Sequence, residues 1–254
     1  MPDRDVMMKR QQVLADFGDF AIRSDDLDEV LTEACRLVAD ALGTSRAKVL
    51  EIQDGRQELL VRAGVGWAPD VVGNVRLPMS ERSSETYSIQ AAEPVIAQDI
   101  ASDDRFDVPD FMKKAGVVAL VNVPIFVPGQ RPYGVLQVDS TEPRQFEDED
   151  IQFLRTYASI LGPVIDRLHL VEERRATAKR LQASEERFGA LFNSIDEGVA
   201  IQEMIYDDRG EIVDVVYRQV NAAFERQGGI RDAVDRSIFE MLPGVERHWL
   251  EQYK

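Results

Sequence analysis

The stretch Val117–Asp139 reads VVALVNVPIFVPGQRPYGVLQVD, and its two halves decide the fold. Val117–Phe126 is a run of β-branched and apolar residues of strand length. Pro128 and Gly129 turn the chain, and Tyr133–Asp139 is a second such run. From Asp148 the period becomes helical, with Ile151, Leu154, Ala158, Leu161, Ile165 and Leu168 as apolar positions. Pro163 falls inside that run. It is expected to kink or break the helix, because it has no N–H for the ladder.

The same reading extends toward the N-terminus. Met8–Ile22 and the segment from Leu27 to Leu42 are amphipathic helices. Ser24, Asp25 and Asp26 offer capping oxygens between them, and Gly43 stands where a C-terminal cap belongs. Ala47–Ile52 and Glu58–Ala63 are strands around an Asp54-Gly55 turn. Gly64, Gly66, Pro69, Gly73 and Pro78 then break the chain repeatedly. Glu85–Ala92 suits a helical turn or two, Glu93–Ala97 a strand and Asp107–Ala115 a short helix.

Toward the C-terminus, Asp166–Arg187 is highly charged, and its apolar residues thin to an imperfect heptad seam through Leu168, Val171, Ala178, Leu181 and Phe188. Beyond Ser184 a second pattern starts: a helical face of Phe188, Leu191, Phe192 and Ile195, two strands around Asp207–Gly210, and a short helix from Asn221. Two strands are too little sheet to bury both faces of a domain. The second domain is therefore expected to be incomplete in these 254 residues.

Composition narrows the function classes. The net charge of −16 repels phosphate backbones and anionic membranes, which argues against nucleic-acid or membrane partners. The single cysteine, Cys35, excludes an internal disulfide framework and fits a reducing compartment. No apolar run reaches the roughly 18 residues of a membrane span. A cytoplasmic location is expected.

In this order, several residues resemble a known family. Gly64-Val-Gly-Trp67, Glu93-Pro-Val95 with Asp99-Ile100, Asp104-Arg-Phe106, Asn122-Val-Pro-Ile125, Tyr133-Gly-Val-Leu136, Arg144-Gln-Phe146 and Asp150–Leu154 follow one another as in GAF domains. From Ser184, Glu186-Arg-Phe188, Asp196-Glu-Gly198, Asp207–Gly210 and Asn221–Phe224 resemble the front half of a PAS domain, with Pro243 and Glu246 in a loop. The resemblance implies an α+β chain: an N-terminal helix (1–25), a GAF-like antiparallel sheet flanked by helices (26–165), a long connecting helix (166–183) and a partial PAS-like α/β domain (184–254). It also implies the sensory input region of a bacterial signalling protein such as a two-component sensor histidine kinase, working as a homodimer with a downstream output domain. Two alternatives stay open: the input region of a cyclic-dinucleotide cyclase or phosphodiesterase, and a ligand-free dimerisation and protein-contact scaffold.

The chemistry expected inside this chain is recognition without catalysis. Its two histidines, His169 in the charged helix and His248 beside Trp249, have no nucleophile and acid arranged with them, and no cysteine or histidine cluster suits a metal. The acidic run Glu147–Asp150 reads as solvated residues that cap a helix. A bilin would need a cysteine and a nearby histidine, a flavin adduct a cysteine after an asparagine, and haem a histidine on the helix after Asn221. Cys35 lies in the second helix with no histidine before His169, and the other residues are missing, so no bilin, flavin or haem is expected. What remains is an apolar pocket without a reactive group, walled by aromatic residues between the second and last strands. Trp67, Tyr87, Phe106 and Phe111 are its candidate walls, and Arg82 and Ser84, with Ser83 and Arg105, are its candidate polar contacts.

Overall fold

The computed structural model describes residues 4–53, 57–242 and 244. The Asp54-Gly55 turn, Pro243, Glu246 and His248 lie outside the described residues. The chain divides into two compact units, one up to Arg174 and the other from Arg175.

The first unit opens with α1 (Arg4–Arg23) and α2 (Leu27–Leu42). The Asp26 carboxylate caps α2 by accepting from the backbone N–H groups of Asp28 and Glu29, and Gly43 ends it at φ 63°. Strands β1 (Arg46–Ile52), β2 (Glu58–Val65) and β3 (Arg76–Pro78) follow. Next come α3 (Ser84–Ala91), β4 (Val95–Ala97), α4 (Asp110–Lys114), β5 (Ala119–Val127) and β6 (Arg131–Ser140). The strands form one antiparallel sheet in the order β3-β2-β1-β6-β5-β4. Strand β3 is hidden in the sequence by the glycines and prolines around it, yet it pairs Leu77 with Leu59.

The quoted stretch forms β5 and β6, which are buried almost throughout. Both faces of the sheet are covered, so these strands read as continuous apolar runs rather than alternating ones. On one face, Val49, Val121, Leu136 and Val138 pack with Phe17, Leu31, Val38, Leu154 and Leu161 from the helices. Each such side chain contributes about 1.5–3 kcal/mol by leaving water. On the other face, Leu50, Leu59, Val61, Leu77, Ile89 and Val135 form a smaller core, continued by Met112, Val117 and Leu120.

The long helix α5 (Asp148–Ser194) contains Pro163 without an interruption. The expected break does not occur, because Pro163 and Ser159 lie on the exposed side, where water can take the freed carbonyl. One residue earlier, Gly162 brings the helix so close to β5 that a Cβ would overlap the Phe126 carbonyl oxygen. Arg167 on α5 donates to the carbonyls of Ala21 (2.7 Å) and Ser24 (2.8 Å) at the end of α1, where a cation also suits the helix dipole. Asp150 is not solvated, in contrast to the sequence reading. It is buried and ion-paired with Arg10 of α1 and with Arg144.

The second unit holds the end of α5, the hairpin β7 (Ala200–Tyr206) and β8 (Ile212–Val220), and the short helices α6 (Ala222–Gly228) and α7 (Ile238–Met241). Asn221 organises it. Its side chain accepts from the N–H groups of Val199 and Phe224 and donates to the Glu197 carbonyl. Val215, Tyr217, Ala233 and Ile238 make its small core.

Candidate ligand site on the second face of the sheet

The central strands carry polar residues where an apolar face would be expected. Lys48 on β1, Gln137 and Asp139 on β6, and Asn122 on β5 are all fully buried. The pairing explains their convergence: Lys48 stands opposite Gln137, and Gln137 opposite Asn122. Lys48 Nζ donates to Asp139 Oδ2 at 2.7 Å, and Gln137 Nε2 to Asp139 Oδ1 at 2.7 Å. The ammonium also lies 4.2 Å from the centre of the Trp67 ring. Burial pushes Lys48 below and Asp139 above their ordinary ranges, because desolvation outweighs the attraction between them.

Helix α3 covers this cluster and adds to it. Ser83 caps the helix by accepting from the Thr86 N–H. The buried Glu85 accepts from the Ser83 hydroxyl (2.8 Å) and the Ser84 hydroxyl (3.2 Å) through Oε2, and Asn122 Nδ2 donates to Ser84 Oγ at 2.9 Å. The direction of this chain is fixed, since a carboxylate only accepts: Ser84 donates to Glu85, so Asn122 must donate to Ser84. Glu85 Oε1, Asn122 Oδ1 and Gln137 Oε1 are left buried with no donor. Buried polar atoms in native proteins nearly always have partners, so this concentration is a feature to be explained.

Beside α3 lies a pocket of ≈ 350 Å³ lined by Leu77, Arg82, Ser83, Glu85, Asp107 and Asp110, among others. A larger groove of ≈ 450 Å³ runs between β5 and α5, past Pro94, Phe126 and Arg155. It contains none of the unpartnered buried atoms, so the site chemistry belongs to the α3 side.

The residues expected from sequence fall into separate places. Trp67 and Phe111 do meet, with ring centres 5.3 Å apart, and Trp67 Nε1 donates to the Ala47 carbonyl. Tyr87 and Phe106 meet each other at 5.7 Å, but Tyr87 is half exposed on the outer side of α3. Arg82 is exposed at the pocket mouth and binds Asp107 at 2.9 Å. Ser84 is buried within the polar chain. Arg105 is held by Asp103 and donates to the Ile96 carbonyl. Sequence reasoning did not single out Lys48, Glu85, Asn122, Gln137 and Asp139, the buried polar residues of this face. A signal existed for Asn122, the one polar residue of the apolar run Ala119–Val127, whereas Lys48, Gln137 and Asp139 share their strands with other polar residues.

The GAF domain family model matches residues 26–165, and the chain belongs to that family. A methyl sulfide methyltransferase-associated sensor from Methanosarcina acetivorans is 29% identical over 107 residues, a match covering 41% of this chain and 10% of that protein. The chain thus spans about a tenth of the length of this relative. Among solved structures, the GAF domain of an Acinetobacter phosphoenolpyruvate-protein phosphotransferase is 23% identical at a TM-score of 0.56, covering 65% of this chain and 97% of that one. Free methionine-R-sulfoxide reductase from Neisseria meningitidis gives 18% and 0.57, covering 67% and 96%. A GAF sensor protein from Burkholderia vietnamiensis gives 18% and 0.55, covering 64% and 97%. These likenesses establish the fold. The chain is a GAF-domain module related to a protein named as a sensor. No helix among the described residues is long and apolar enough to cross a membrane, and no described group of three or more His, Cys, Asp or Glu is placed to hold a metal.

Proposed function

We propose that this chain is the cytoplasmic sensory input region of a signal-transduction protein, with a two-component sensor histidine kinase as the parent. The GAF domain binds a small molecule on the α3 side of its sheet, and a PAS-like unit follows from Ser184. The observation that carries this reading is the buried Glu85, which lines an open pocket and belongs to a cluster of buried acceptor oxygens without donors. Buried acceptors nearly always have partners, and a ligand in the pocket can supply a donor to Glu85.

The relay runs through α5, which belongs to both units. Leu170, Leu181, Phe188 and Leu191 are exposed along it, as are Met7, Met8 and Ile22 on α1. A second copy covers them in a homodimer. Seams of this quality hold helix registers of similar energy, so a ligand with different affinities for two registers shifts their populations. Native mass spectrometry of the full chain tests both halves of the reading. A dimer with a defined additional mass is expected. A monomer at micromolar concentration refutes the relay, and an empty dimer supports the ligand-free scaffold.

A further inference from the structure

We propose that the α3-side site takes a small organic cation, a ligand with an ammonium or related N–H donor group that pairs with Glu85, the member of the buried acceptor cluster that lines the pocket. This inference rests on the ligand-sensing reading above and names the chemistry of the ligand.

Hydrogen-bond valence calls for a donor. The free oxygens of Glu85, Asn122 and Gln137 are acceptors, assigned by their neighbours, while the unpartnered Thr86 hydroxyl of α3 can donate or accept. Asp139 takes the Gln137 amide N–H, which leaves the Gln137 oxygen free. Ser84, which donates to Glu85, takes the Asn122 amide N–H, which leaves the Asn122 oxygen free. Glu85 uses Oε2 for two serine hydroxyls, and Oε1 has no donor. A ligand that presents only acceptors leaves all of these atoms unpaired, at a cost of about 1–3 kcal/mol each.

Charge calls for a cation. Lys48 is already engaged by Asp139 and by the face of Trp67. One buried cation against two buried carboxylates, Asp139 and Glu85, leaves a negative charge uncompensated. The pocket mouth repeats the imbalance. Arg82 is matched to Asp107, while Glu85 and Asp110 line the same wall. A charged group leaving water for such a site requires an opposite charge, which a cation finds and a carboxylate does not.

The test uses the full chain and three probes of similar size: n-propylammonium, propionamide and propionate. Trp249→Phe leaves Trp67 as the sole tryptophan to report binding, alongside thermal unfolding. Four non-hydrogen atoms limit n-propylammonium to about tens of micromolar, and roughly millimolar binding is expected. The expected result is saturable binding of n-propylammonium, weaker binding of propionamide and none of propionate. Glu85→Gln, which keeps an acceptor for Ser83 and Ser84, should weaken n-propylammonium by about tenfold or more, the equivalent of one charge-assisted hydrogen bond. Asp107→Asn at the exposed mouth should weaken it less and leave the fold intact. Preference for propionate or propionamide overturns the cation assignment while leaving a ligand site standing. Binding of n-propylammonium unchanged by Glu85→Gln also overturns it. No binding of any probe, with ordered waters on the three oxygens in a crystal soaked with n-propylammonium, overturns both the cation and the ligand-sensing reading.

Discussion

Lys48→Met is the sharpest perturbation of the buried cluster. Methionine keeps the length and apolar stem of lysine and removes only the charge and its hydrogen bond. Asp139, fully buried, then loses its one cationic partner and retains the Gln137 amide. Removing one member of a buried pair costs about 3–5 kcal/mol, because the other charge stays desolvated and uncompensated. Against a total stability of about 5–15 kcal/mol that is a large fraction. For a unit of this size it corresponds to a fall in Tm of about 6–20 °C. Urea unfolding read from Trp67 in a Trp249→Phe background reports on the first unit. Combining Lys48→Met with Asp139→Asn should recover part of the loss, giving a coupling energy of about 0.5–3 kcal/mol. The amide oxygen that replaces the carboxylate is uncharged and can still accept from Gln137. The loss should also depend on pH. Burial already holds the Asp139 carboxyl above its ordinary range and Lys48 opposes that shift, so removing Lys48 raises it further. The folded state then keeps the proton better than the unfolded one. The stabilisation from that group is present at low pH and is lost as pH rises through the folded value. The deficit of Lys48→Met is therefore smallest near about pH 4 and grows toward neutrality. A cost below about 1 kcal/mol, with no pH dependence, refutes the reasoning, since it means that the cluster is hydrated.

Three further changes test how the first unit is assembled. Gly162→Ala drives a methyl group into the Phe126 carbonyl and should cost about 1–3 kcal/mol in urea unfolding; an unchanged midpoint contradicts the close approach of α5 to β5. Asp150→Asn removes the charge shared by Arg10 and Arg144, and should cost about 1–3 kcal/mol and speed tryptic cleavage within α1. Cys35 is buried in α2 with its thiol pushed up to about 12, so a disulfide reagent at mildly alkaline pH should label it only as the chain unfolds. Rapid stoichiometric labelling of the native protein would contradict that burial.

Much of the fold could be read locally. Caps at Asp26 and Gly43, the strand runs of β5 and β6, and the helical period after Asp148 depend on neighbours a few residues apart, and each appears where the sequence places it. The quoted stretch decided the fold because β5 and β6 lie inside the sheet and are covered on both faces. Local reading failed where partners were distant. Pro163 reads as a kink or break, and the helix runs through it unbroken; its exposure is set by how the helix packs on the sheet, not by its neighbours in the chain. The aromatic residues suggested one pocket, but α3 turns Tyr87 outward while Trp67 and Phe111 close over Lys48.

By itself, the sequence determined the element types, the GAF-like order of elements and the kinds of side chain available, because these follow from local propensity and period. The tertiary structure alone decided that Lys48 meets Asp139, 91 residues later, and that Asn122, Gln137 and Glu85 share one desolvated space. That outcome depends on β1 pairing with β6 and β6 with β5, and on α3 covering the result. A register shift of one residue would turn the same polar groups to the other face. Their role as a site therefore belongs to the pairing rather than to any one segment.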